Sequence, residues 1–145
     1  MAARTVSALA LFAAALVWAS ASMAEGALAV GIPKGDPRNG FRWSLRVNDP
    51  DAATEVMKVC RQSKYPASAE ACKLINTFSD QCGAVAANGD PNAPVTAAGW
   101  AIAPDSATAT SRAIAMCEVM RRANGGSGSC QLDGDRAVLC DGTAK

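Results

Sequence analysis

Between Phe41 and Val47 apolar and polar positions alternate: Phe41, Trp43, Leu45 and Val47 against Arg42, Ser44, Arg46 and then Asn48. A period of two is that of a strand with one face on a core, so this segment is predicted as a strand with an inward apolar face and an outward basic face. A shorter apolar run, Ala27 to Val30, precedes it, and a loop rich in Pro, Gly, Asp and Asn, Pro33 to Asn39, lies between them. Beyond the strand the period changes. Ala53, Val56, Met57 and Cys60 fall at i, i+3, i+4 and i+7, one stripe of a helix. Asp49 is placed to cap that helix and Pro50 to occupy its first turn. Lys73 to Phe78 then reads as a closing strand.

The same order recurs downstream. Ala84 to Ala87 is a short apolar strand, Asn88 to Pro94 a turn-rich loop, and Trp100 with Ile102 a second strand. Asp105 or Ser106 caps a helix whose stripe is Thr110, Ala113, Ile114 and Cys117, and Asn124-Gly125-Gly126 stops it with residues that tolerate positive φ. Arg136 to Cys140 is the less distinct last strand, and Ser79-Asp80-Gln81 turns the chain between the two series. Landmarks repeat at an offset of 57, or 58 beyond Cys117: Gly26-Ala27-Leu28-Ala29-Val30 against Gly83-Ala84-Val85-Ala86-Ala87, and Trp43 against Trp100. A period this long points to a duplicated supersecondary unit. The expected fold is α+β: two tandem β-β-α-β repeats, 25–81 and 82–145, packed as one pseudo-twofold domain with a mainly antiparallel sheet and two helices.

Residues 1–24 read as a secretory leader. Arg4 gives a positive start, Val6 to Ala19 is uncharged and apolar, and Ala19-Ser20-Ala21-Ser22-Met23-Ala24 offers small residues for cleavage after Ala24, or alternatively after Ala21. The apolar run is shorter than the roughly 20 residues that span a bilayer. Removing the leader takes Arg4 and no acid, so 13 Lys+Arg remain against 13 Asp+Glu. A balanced charge argues against nucleic acid or an anionic membrane as partner. The expected location is secreted or periplasmic.

Export changes the reading of the six cysteines, Cys60, Cys72, Cys82, Cys117, Cys130 and Cys140, which become a disulfide framework. Six cysteines allow 15 connectivities. If the two copies fold alike, the simplest scheme joins Cys60 to Cys72, Cys117 to Cys130, and Cys82 to Cys140 across the pseudo-twofold. Zinc binding would want short Cys-x-x-Cys spacings or histidine, and the chain has neither. A cysteine nucleophile usually needs a histidine base.

The absence of histidine removes the common hydrolytic triads. The Gly125-Gly126-Ser127-Gly128 run follows a helix and lacks a Lys-Ser/Thr ending, so it is no phosphate loop. Asp49 with Asp51, and Asp133 with Asp135, are carboxylate pairs explained by a helix start and a turn. The candidate binding surface is the basic strip Lys34, Arg38, Arg42 and Arg46, suited to a carboxylate or phosphate on a partner. Trp43 and Trp100 are candidates for an aromatic platform, although their apolar register favours core packing.

One stretch carries a family resemblance. Cys82-Gly83-Ala84-Val85-Ala86-Ala87-Asn88, then Gly99-Trp100-Ala101, then Ala113-Ile114-Ala115-Met116-Cys117, resembles the bacterial domain of unknown function 4189. The first half is similar more loosely: Glu25 stands where the leading cysteine would be, and Phe41-Arg42-Trp43 replaces the Gly-Trp step. The resemblance implies export, disulfides and an α+β fold, and it brings no catalytic residues. The expectation is a non-enzymatic exported binding protein without cofactor or metal, its partner an unknown protein or small ligand. One form of it is an inhibitor of a secreted hydrolase, inserting a loop through Pro33 or Pro91 from Ile32 to Asn39 or Asn88 to Val95. The alternatives are a thiol-redox or metal-handling protein, and a carboxylate-only hydrolase using Asp133 and Asp135.

Overall fold

A computed structural model describes residues 25–62, 64–89 and 94–145. The expected leader, residues 1–24, and Pro91 lie outside the described residues. Strands β1 (Gly26–Gly31), β2 (Arg42–Arg46) and β3 (Cys72–Phe78) form one antiparallel sheet in the order β2-β1-β3. Strands β4 (Cys82–Asn88), β5 (Ala98–Ala103), β6 (Cys130–Leu132) and β7 (Val138–Cys140) form a second. In it β5 lies on one side of β4, and β6 and β7 lie in succession along the other. Helices α1 (Ala52–Arg61), α2 (Pro66–Glu70) and α3 (Ser106–Asn124) complete the α+β chain.

The layers follow from which face each strand residue takes. Successive strand residues point to opposite sides. On β1, Ala27 and Ala29 pack under α1 against Ala52, Val56 and Cys60. Leu28 and Val30 point the other way and meet Leu45, Phe78 and, from the second sheet, Val85. On β4, Ala84 and Ala86 pack under α3 against Ala109, Ala113 and Cys117. The order is therefore α1, first sheet, second sheet, α3. Every residue of β1 and β4 is buried, which is why these strands read as continuous apolar runs and not as alternation.

Small residues set the helix–sheet spacing. A side chain at Gly99 would meet the carbonyl oxygen of Ala113 and the amide of Cys117, so α3 rests directly on the β5 backbone there. The neighbouring Trp100 turns to the layer between the sheets, where Trp43 also lies. Gly-Trp is thus a step with a helix on one face and an aromatic ring on the other.

Several expectations need correction. The described residues form two facing sheets and three α-helices, where one sheet and two helices were expected. Helix α2 starts at Pro66 and has only five residues, too few to show a period. Strand β6 has three. On β2 only Arg42 and Arg46 are exposed on the polar face; Ser44 is buried on the side shared with α1. The buried stripes begin one residue earlier than expected, at Ala52 and Ala109 in place of Ala53 and Thr110. Asp49 accepts from the Asp51 amide at 2.9 Å, one turn ahead of α1, whereas of the two caps expected for α3 it is Asp105 that serves, at 2.8 Å from the Thr108 amide.

Three disulfides join Cys60 to Cys72, Cys82 to Cys140 and Cys117 to Cys130. The first ties α1 to β3, and the third ties α3 to β6. The Cys82–Cys140 bond does not cross between the halves: its cysteines face one another on β4 and β7 of the same sheet. Among the described residues no helix is long and apolar enough to cross a membrane.

Candidate functional site

The basic strip is divided by its surroundings. Lys34 and Arg38 lie in two short 3-10 turns between β1 and β2. Arg38 is already engaged, its Nε and Nη2 donating to the Asp36 carboxylate at 2.9 and 2.7 Å. That contact holds the Asp36 carboxyl below the usual range. Pro33 and Pro37 in the same loop are buried. The accessible residues of the loop are Lys34, Gly35, Arg38 and Asn39, so Pro33 anchors the loop and is not its tip. Asn88 is committed to the fold. Buried at the end of β4, its side chain donates to Thr96 Oγ1 and the Ser127 carbonyl at 2.9 Å and accepts from the Thr96 and Ala97 amides.

Arg42 and Arg46 project from the same side of β2. Arg46 donates through Nε to Asp49 at 2.7 Å. It also lines two clefts of about 300 Å³ each, and Arg136 lines both. Arg136 belongs to the turn between β6 and β7, where the chain leaves β4's side before returning to it. It is exposed and forms no ion pair among the described residues. Sequence reading placed Arg136 only as the start of a strand. Nothing local marks it, because its neighbourhood to Arg46 arises only when one sheet lies on the other.

The carboxylates have structural partners. Asp133 Oδ2 accepts from Trp43 Nε1 at 2.6 Å, a bond that fastens the β6–β7 turn of the second sheet to β2 of the first. Asp49 is occupied by Arg46 and the Asp51 amide. A further carboxylate, Asp141, was not singled out. It is only 2 % exposed and accepts from the amides of Asn48 and Asp80 at 2.9 and 3.3 Å. Asn48 and Asp80 both sit at positive φ, so Asp141 secures the turn before α1 and the turn between β3 and β4. All six cysteines are in disulfides, and the described residues hold no group of three potential His, Cys, Asp or Glu metal ligands. Trp100, with Ile75, Met120 and Ile32, lines a cleft of about 250 Å³ at the opposite side of the sandwich from Arg136.

The fold and its stapling define a small disulfide-bonded α+β module with helices outside two facing sheets. The chain belongs to the family called domain of unknown function (DUF4189), whose family model matches residues 25–134. The match takes in both sheets and ends before β7, so Cys140 and Asp141 lie beyond it. No curated protein and no solved structure matches the chain.

Proposed function

We propose that this chain is an exported, non-enzymatic binding protein whose site is the cleft shared by Arg46 and Arg136. In this reading residues 1–24 are a leader removed on export, and 25–145 are one domain. The three disulfides are the chemistry of an oxidising compartment such as the periplasm or medium. With every cysteine bonded, thiol chemistry has little support.

The domain is read as a duplication. Gly31 pairs with Cys72 as Asn88 pairs with Cys130, and these are the partners that the offsets of 57 and 58 bring into correspondence. The other flank of each central strand has diverged: Trp43 faces Val30, but Trp100 faces Val85, two residues from the position corresponding to Val30. The last strand of the second copy is broken into β6 and β7, and Arg136 stands in that break. The cleft is thus a property of the assembled pair of sheets and of neither copy alone.

The observation that carries the reading is the cleft itself, where two arginines from different sheets meet on a stapled frame. Arginine favours carboxylate and phosphate groups. The test is a thermal-shift screen of the exported protein against uronic-acid oligosaccharides, phosphorylated sugars, and acidic and basic peptides. Arg46→Ala and Arg136→Ala run alongside, and product formation is followed by mass spectrometry. An anionic ligand should raise Tm, the rise should vanish in both variants, and the ligand should be recovered intact. Turnover of any ligand, or shifts indifferent to both arginines, would refute the reading.

A further inference from the structure

Among the described residues strand β2 is the outer strand of its sheet and pairs with β1 alone. Among the described residues its main chain makes no hydrogen bond beyond that partner. Trp43, Ser44, Leu45 and Arg46 all line one cleft. Neighbouring strand residues point to opposite faces, so a hollow touched by four in a row runs along the strand's edge and not over a face. Val59 of α1 stands on one wall and Arg136 on the other. The second cleft continues from Arg46 past Val47 to Pro50, again beside Arg136. Together they form a trough with two arginines at its middle: its first part follows the unpaired edge of β2, whereas past Val47 the amides of Asn48 and Asp49 are already taken by the Asp141 carboxylate and the Glu25 carbonyl, so main-chain pairing is offered along β2 alone.

Resting on the binding reading above, we infer that this trough takes an extended acidic peptide segment, which adds to β2 as a further antiparallel or parallel strand. Strand addition satisfies an edge's main-chain donors and acceptors, and side chains then give selectivity. A small anion would meet the arginines and leave the length of the trough unused. Acidity follows from the charges along it. Arg42 and Arg46 lie four residues apart on one face of β2. Of these arginines Arg46 alone is paired, through Nε to Asp49, while Arg42 and Arg136 form no ion pair among the described residues. Same-face neighbours on adjoining strands sit side by side, so the segment should carry carboxylates at two positions four residues apart.

The probe is the capped heptapeptide Glu-Val-Glu-Val-Glu-Val-Glu, titrated by calorimetry into the oxidised, exported protein at low salt. It should bind, and a version with Lys for every Glu should bind at least about tenfold more weakly. Arg136→Ala should weaken binding about tenfold while leaving Tm unchanged, because the side chain is exposed and forms no ion pair among the described residues. Two further peptides carry N-methyl groups on alternate amides, one along each edge. An added strand uses one edge, so one methylated peptide should fail and the other should bind. Equal binding by both, or by free glutarate as tightly as the heptapeptide, overturns strand addition and leaves an anion cleft. Equal binding of the Lys peptide overturns the acidic assignment. No binding of the Glu peptide up to about 1 mM overturns the inference outright, while an arginine-dependent hit among the sugars of the screen would still uphold the binding reading.

Discussion

Two carboxylates hold α3 in place, and both titrate in acid. The Asp105 carboxyl is drawn below the usual range chiefly by the Thr108 amide, then by the Thr108 hydroxyl. The Glu118 carboxyl is drawn down first by the Arg121 guanidinium and then by the Cys130 amide, which donates to Oε1 at 2.8 Å. Glu118 therefore fastens α3 to β6 beside the Cys117–Cys130 bond. A carboxyl lowered on folding contributes stability that is present above its unfolded value, about 4, and is lost as pH falls through the native value. Tm should accordingly stay level from neutrality down to about pH 5 and fall below about pH 4. Glu118→Gln should lower Tm at neutrality and reduce the acid fall. A Tm–pH curve in this variant parallel to that of the parent would remove Glu118 from the account.

At the scale of elements, the contact between α3 and β5 depends on the missing side chain at Gly99. Gly99→Ala would press a methyl group into the main chain at Ala113 and Cys117. Neither neighbour is the end of a flexible side chain, so the helix itself must move, at a cost of about 1–3 kcal/mol. Chemical denaturation should show that loss; a cost below about 0.5 kcal/mol would mean that α3 slides freely on the sheet. This contact explains why some of the fold was legible and some was not. Alternation in β2, the apolar runs of β1 and β4, the cap at Asp105 and the stop at Gly125, whose φ is 65°, are all local signals, and each led to an element. The repeated cysteine spacing led to the three bonds that form. Helix α2 and strand β6 were missed because five and three residues carry no periodicity. Of the candidate cleft, Arg46 was legible as an outward cation, but Arg136 was not. A turn residue gains meaning only from the sheet that happens to face it. The burial of Pro33 was illegible for the opposite reason: a loop composition says where a chain turns and not which of its residues faces the core.

For the whole molecule, the arrangement of the staples decides how the two sheets stay together. Cys60–Cys72 lies within the first half, and the other two bonds lie within the second. No disulfide joins them. What joins them is the layer of Leu28, Val30, Leu45 and Phe78 against Val85, the Trp43–Asp133 bond, and the reach of Asp141 to Asn48 and Asp80. Taken alone, residues 25–81 would keep their disulfide but expose the apolar face of β1 and β2 to water. A chain of that length has little core to spare, and burial of each large apolar side chain is worth about 1.5–3 kcal/mol. Losing the second sheet removes the cover from at least four such side chains, more than the roughly 3 kcal/mol that a twelve-residue disulfide loop contributes. The half chain should therefore show no cooperative thermal transition, even oxidised. The 82–145 half retains two disulfides and the α3 core, so it is expected to keep helical circular dichroism with a broad transition. Mixing the two should restore a single sharp transition, because the inter-sheet layer completes both. If 25–81 unfolds cooperatively by itself, each half carries its own fold, and the facing sheets are a docking of two finished units. The cleft between Arg46 and Arg136 would then have to be explained as an interface between domains and not as part of one.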